Sequence, residues 1–114
     1  MKRTLLIEIL LDPISSDAEK DDAVIALGNN FEDEEIIDIL IELSNSMKFN
    51  DMIAASCGES LGHIWLRKKE INFEKLSYLE GITLNEVLSL IKVQRLDWYE
   101  KFIELSSNSK LKVE

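Results

Sequence analysis

Residues 51–67, DMIAASCGESLGHIWLR, decide how the chain folds. At about 100° per residue, Ala54, Cys57, Gly58, Leu61, Trp65 and Lys68 share one side of a helix. Met52, Ser56, Glu59, His63 and Arg67 share the other. The inward side begins small and ends bulky. Small residues let another helix come close, so the pattern predicts a buried helix with neighbours on more than one flank. Asn50 or Asp51 is its expected N-cap.

The flanking sequence reads as further helices. Upstream, Ile36, Ile37, Ile39, Leu40, Ile41 and Leu43 leave only Asp38 and Glu42 on a wet side. A helix so widely apolar packs between neighbours. Glu32-Asp33-Glu34-Glu35 opens it, and each acid at a helix N-terminus contributes about 0.3–1 kcal/mol at most. Residues 44–50 read as a polar connection. Residues 3–11 predict a short helix ended by Asp12-Pro13. Ser16 and Glu19 form a capping box for a second helix that Gly28-Asn29-Asn30 should stop. Downstream, Phe73, Leu76 and Leu79 predict a helix to Glu80, ended by Gly81. Thr83 and Glu86 read as another capping box, opening a helix through Leu84, Val87, Leu88 and Ile91. Its phase breaks near Val93-Gln94. A last helix carries Leu96, Tyr99 and Ile103 on one stripe and Trp98, Phe102 and Leu105 on another. Residues 1–105 are expected to form one domain and residues 106–114 a polar tail.

Composition agrees with an all-helical domain. A chain of 114 residues suits a single core. Four glycines and one proline are too few for the tight turns of an all-β fold. One cysteine makes no internal disulfide, which fits a reducing cytoplasm. The apolar segment 5–11 is interrupted by Glu8, ends at Asp12 and lacks a small-residue cleavage site, so no signal peptide is expected, and it is far too short to span a bilayer. The net charge of −9 lies wholly in residues 1–57, which hold 13 acidic and 4 basic side chains; the second half holds nine of each. Like-charge repulsion disfavours phosphate backbones as partners, and a basic protein is the natural complement.

An internal repeat organises these helices. Residues 17–28, DAEKDDAVIALG, superpose on 51–62, DMIAASCGESLG, at an offset of 34. Asp17 matches Asp51, Ala23 matches Cys57, Ala26 matches Ser60, Leu27 matches Leu61 and Gly28 matches Gly62. An apolar helix precedes both copies. A third unit, 71–80 then 83–92, keeps the helix pair without the Leu-Gly ending. Helix pairs at such a period bury their faces by stacking. The Asp, small, Leu-Gly pattern resembles the second helix of HEAT-like repeats over roughly residues 3–92. The expected fold is all-α: a short HEAT-like helical-hairpin solenoid of about three helix pairs plus a C-terminal capping helix.

The segment CGESLGHIW at 57–65, in a small acidic helical chain, is similar to small bacterial immunity proteins that accompany contact-dependent growth-inhibition toxins. That resemblance implies a cytoplasmic protein that neutralises a cognate toxin domain by covering its active site. The toxin would be a basic nuclease, an EndoU-type ribonuclease among the candidates. The resemblance implies no catalytic residues, and neither a cofactor nor a metal is expected.

In stacked pairs the second helices line one concave face. Here that face would present Asp21, Asp22 and Ile25 from one unit, with Ser56, Glu59, His63 and Arg67 from the next. Carboxylates held there would occupy the cations around a nuclease active site. A HEAT-like adaptor for a cellular protein or peptide would use the same face. A carboxylate–metal enzyme built on Glu59 and His63 is the third reading, but two ligands are too few and no other His exists. Cys57 and His63 stand about 240° apart on the helix, which excludes a nucleophilic pair there. Arg95, Trp98 and Tyr99 interleave charge and rings as single-strand binders do, yet Asp97 and Glu100 oppose that use. Neither nucleic acid nor membrane is the expected partner.

Overall fold

The computed structural model describes residues 2–113, with side chains as far as Ser107. The elements in order are α1 (Lys2–Leu11), α2 (Asp17–Asn30), α3 (Glu34–Ser46), α4 (Asp51–Lys68), α5 (Phe73–Leu76), α6 (Gly81–Gln94) and α7 (Leu96–Val113). No strand occurs among the described residues. Among the described residues no helix is long and apolar enough to cross a membrane.

Local chemistry starts the helices of the inner layer. At α2, Ser16 Oγ accepts from the Glu19 amide at 3.1 Å, and the Ser16 amide donates to Glu19 Oε1 at 2.8 Å. This is the expected capping box. At α4, Asn50 Oδ1 accepts from the Ile53 amide at 3.1 Å, and Asn50 Nδ2 donates to Asp17 Oδ2 at 2.9 Å. The cap of α4 is thereby tied to the first residue of α2.

Three cross-helix bonds then set the direction of packing. Asn50 meets Asp17, Ser60 Oγ donates to the Val24 carbonyl at 3.0 Å, and Arg67 Nη1 donates to the Gly28 carbonyl at 2.8 Å. Both sequences rise together, so α2 and α4 are parallel. Thr83 Oγ1 donates to the Ala54 carbonyl at 2.9 Å, while Gly58 lies against Thr83 and Gly62 against Leu90. Thus α6 runs parallel to α4. The inner layer is α2, α4 and α6 side by side. Helices α1 and α3 back α2 and α4 respectively as antiparallel hairpin partners, and α7 packs on α6. Helix α4 touches α2, α3 and α6, as its small residues foretold.

The core sits between the layers. Leu27, Ile36, Leu40, Ile53, Leu61 and Ile64 are fully buried, each contributing about 1.5–3 kcal/mol of transfer free energy as an upper estimate. Ile39 and Leu43 remain half-buried, so α3 is covered on fewer sides than its apolar circumference suggested.

Several local expectations are corrected. Gly28 does not stop α2, which continues to Asn30 and ends where the Phe31 amide bonds to Leu27 O at 3.1 Å. Gly28 is there because a Cβ would stand 2.8 Å from Ser60 Cα. Helix α3 runs on through Ser44, which is buried and donates to Ile41 O at 2.7 Å. The helix expected to reach Glu80 is a single turn, although Leu76 and Leu79 are buried as their stripe required. Gly81 opens α6 rather than closing α5, with φ +58°. Thr83 does not cap: it lies inside α6, buried, with its hydroxyl spent on α4. The break near Val93 is real, since α6 ends at Gln94 and α7 begins at Leu96. Trp98 and Phe102 are buried, as their stripe predicted. The backbone of the expected tail belongs to α7 through Val113; its side chains beyond Ser107, and residue 114, lie outside the described residues.

Candidate partner-binding face

The parallel register aligns carboxylates across the inner layer. Because Ser60 meets Val24, Asp22 stands level with about residue 58 of α4. Because Gly58 meets Thr83 and Glu86, Glu59 stands level with the first half of α6. Asp22, Glu59 and Glu86 therefore form a row, one from each inner helix. Packed helix axes lie about 8–10 Å apart, so each carboxylate is about one Debye length from the next at physiological salt. Asp22 and Glu59 are exposed and Glu86 is half-buried. Among the described residues none of the three forms an ion pair. Their negative charges are therefore left without an internal counter-charge among the described residues.

The remaining expected site residues divide into two groups. Ile25 is 38% exposed one turn from Asp22, and Ser56 is half-buried one turn before Glu59. His63 is half-buried in a shallow depression of about 340 Å³, between Asn29 of α2 and Gln94 of α6. These belong to the face. Asp21 turns instead toward the α2–α4 seam, where its Oδ1 is buried without a hydrogen-bond partner among the described residues. Burial, with the Asp21 charge added, pushes the Cys57 thiol up to about 12. Cys57 is a core residue, as its inward position indicated.

Arg67 is occupied internally. Its guanidinium donates to Gly28 O at 2.8 Å, to Phe31 O at 3.0 Å and to Glu32 Oε2 at 2.8 Å. It closes the C-terminus of α2, where carbonyls lack partners and a cation is favoured.

The acidic run at 32–35 is likewise spent inside the molecule. Glu32 pairs with Arg67, Asp33 with Arg3 at 2.6 Å, and Glu35 with Arg3. Glu34 takes Lys68 at 2.6 Å and Lys75 at 2.8 Å. Four neighbouring acids thus join α1, α3, α4 and α5. The Arg3 guanidinium holds the Asp33 carboxyl below its ordinary range, and Lys68 with Lys75 does the same to Glu34. A carboxyl lowered on folding adds stability above its unfolded pKa and loses it as pH falls through the folded value. The melting midpoint should therefore drop as pH falls below the ordinary carboxylate range of about pH 4, and an Asp33→Asn, Glu34→Gln chain should show a flatter drop. These groups are largely exposed, so solvent screening keeps the contribution of each pair small. A slope unchanged by the double substitution would remove the run from the stability account.

The basic and aromatic residues around the α6–α7 junction also satisfy one another. Arg95 pairs with Asp97 at 2.9 Å and stacks 4.0 Å from the Trp98 ring centre, and Lys92 lies over Tyr99. Among the described residues no group of three or more His, Cys, Asp or Glu side chains is placed to hold a metal.

Glu86 is the member of the row that sequence reasoning missed. Its spacing from Thr83 fits a capping box, and the competing tertiary bond of Thr83 leaves no local trace. The alignment of the third unit with the first two was the available signal. Comparison of the chain with protein-family models, with curated proteins and with solved structures finds no match.

Proposed function

We propose that this chain is a non-catalytic binding protein of the immunity type, which neutralises a basic nuclease-type toxin domain in the cytoplasm. The observation that carries the reading is the contrast between two sets of acids. The run at 32–35 is neutralised by the chain's own cations, whereas Asp22, Glu59 and Glu86 form no ion pair among the described residues and stand in a row on rigid parallel helices. A nuclease concentrates Lys and Arg where it holds phosphate. A fixed row of carboxylates competes for those cations and excludes the substrate sterically and electrostatically. Ile25 supplies an apolar contact beside the row.

The test uses basic nuclease domains encoded by adjacent reading frames. The chain should inhibit one of them stoichiometrically. Asp22→Lys together with Glu59→Lys should weaken binding by about 100-fold or more, since breaking desolvated charge pairs removes about 2–5 kcal/mol. Glu35→Gln should change it less than about twofold, in keeping with a paired surface acid. A nuclease that cleaves equally fast with and without excess chain, or a double reversal that binds normally, would contradict the reading.

A further inference from the structure

The opposite layer carries a groove that the row of carboxylates does not involve. Gly28 and Ser60 bring α2 and α4 into close contact, while α1 and α3 touch little. The outer layer is thereby splayed, and a groove of about 780 Å³ opens between α1 and α3. Ile7, Leu10 and Leu11 floor it from α1, with Ile39 and Leu43 from α3 and Met47 just past its end. Leu11 is 67% exposed, and Ile39, Leu43 and Met47 are half-buried. The α3 strip extends about 12 Å, or somewhat more than two helical turns.

The edges of the groove are acidic. Glu35, Asp38 and Glu42 follow one another at i, i+3 and i+7 along α3. Glu35 and Asp38 already have Arg3 and Lys75, and Glu42 forms no ion pair among the described residues. Glu8 lies next to Leu11 around α1 and is exposed without an ion pair among those residues. Among the described residues Lys20 is the one cation lining the groove. An aliphatic floor between carboxylate edges matches a helix with aliphatic side chains down its middle and Lys or Arg along its flanks. A second copy would set these acids against their own counterparts across a two-fold contact. An anionic membrane surface would meet the same repulsion.

We propose that the α1–α3 groove binds a basic amphipathic helix of a partner protein. This does not rest on the inhibitor reading, because it uses the other layer. The probe is a fluorescent synthetic peptide of about five helical turns, with Leu on one face and Lys on both flanks. Titrated with the full chain at physiological salt, it should bind saturably in the micromolar range. A shuffled peptide of equal composition should bind about tenfold more weakly, since it keeps the charge and loses the face. Glu42→Lys and Leu11→Lys should each weaken the patterned peptide by about tenfold, with circular dichroism and urea midpoints near those of the parent. Asp22→Lys with Glu59→Lys should alter it by less than about twofold, which separates this site from the carboxylate row. Equal binding of shuffled and patterned peptides would overturn the proposal, as would indifference to Glu42→Lys and Leu11→Lys. Sedimentation showing a dimer that Leu11→Lys abolishes would assign the groove to a second copy and overturn it too.

Discussion

Gly58→Ala should destabilise the chain by about 2–3 kcal/mol, although alanine is the better helix former. The intrinsic preference favours Ala by about 1 kcal/mol in a helix interior. Against it stands the α4–α6 contact. The new Cβ would meet the Thr83 carbonyl oxygen at 2.3 Å and the Thr83 carbonyl carbon at 3.1 Å. These are backbone atoms, so α6 as a whole must retreat. Overpacking of this kind costs about 1–3 kcal/mol and occasionally more. Retreat also stretches the bond from Thr83 Oγ1 to Ala54 O, worth about 1 kcal/mol. Gly62→Ala makes the internal control. Its obstacle is Leu90 Cδ1 at 2.7 Å, the far end of a flexible side chain. Gly62→Ala should stay within about 1 kcal/mol of the parent, because Leu90 changes rotamer and helix propensity offsets the strain. Urea unfolding of both variants checks this, and equal midpoints would show that α6 is not seated against Gly58.

Trp65→Ala should be more damaging still, at about 3–5 kcal/mol. Trp65 is 2% exposed and belongs to the continuous core where α3 and α4 pack. Its backbone carbonyl receives the Glu70 amide at 3.2 Å, so the turn that leaves α4 closes directly over it. Removing the ring leaves a void in a core whose other members, Leu61 one turn away among them, are fully buried and cannot fill it without moving whole helices. Trp65→Phe keeps most of the volume and should lose appreciably less. Thermal and urea midpoints decide the matter; a loss below about 1 kcal/mol for Trp65→Ala would mean the ring is not part of the core.

What the sequence discloses about this fold depends on the range of the interaction. The Ser16–Glu19 box and the Asn50 cap involve atoms within three residues, and both appear as read. The inward stripe of residues 54–65 is also as read, because a helical period determines which residues share a side. Thr83–Glu86 has the same local spelling as a box, yet Thr83 is captured by Ala54 of another helix. Gly28 has the spelling of a stop, yet the approach of Ser60 is what requires it. Long-range contacts decided both cases, and a single sequence does not record them. The face followed the same rule. The 34-residue repeat placed Asp22, Ile25 and Glu59 together, whereas the internal use of Arg67 and the addition of Glu86 depended on helix register.

Everything said of the face requires α2, α4 and α6 to run in one direction, and a distance across the layer measures that. Asn29→Cys and Gln94→Cys place spin labels near the C-terminal ends of α2 and α6, on either side of His63. Cys57 is buried, with its thiol pushed up to about 12, and should stay unlabelled. Parallel helices two spacings apart predict about 16–20 Å between the two backbone positions. A distance beyond about 25 Å, as an antiparallel α6 would give by moving its end about 20 Å along the axis, would contradict the parallel layer and dissolve the carboxylate row with it.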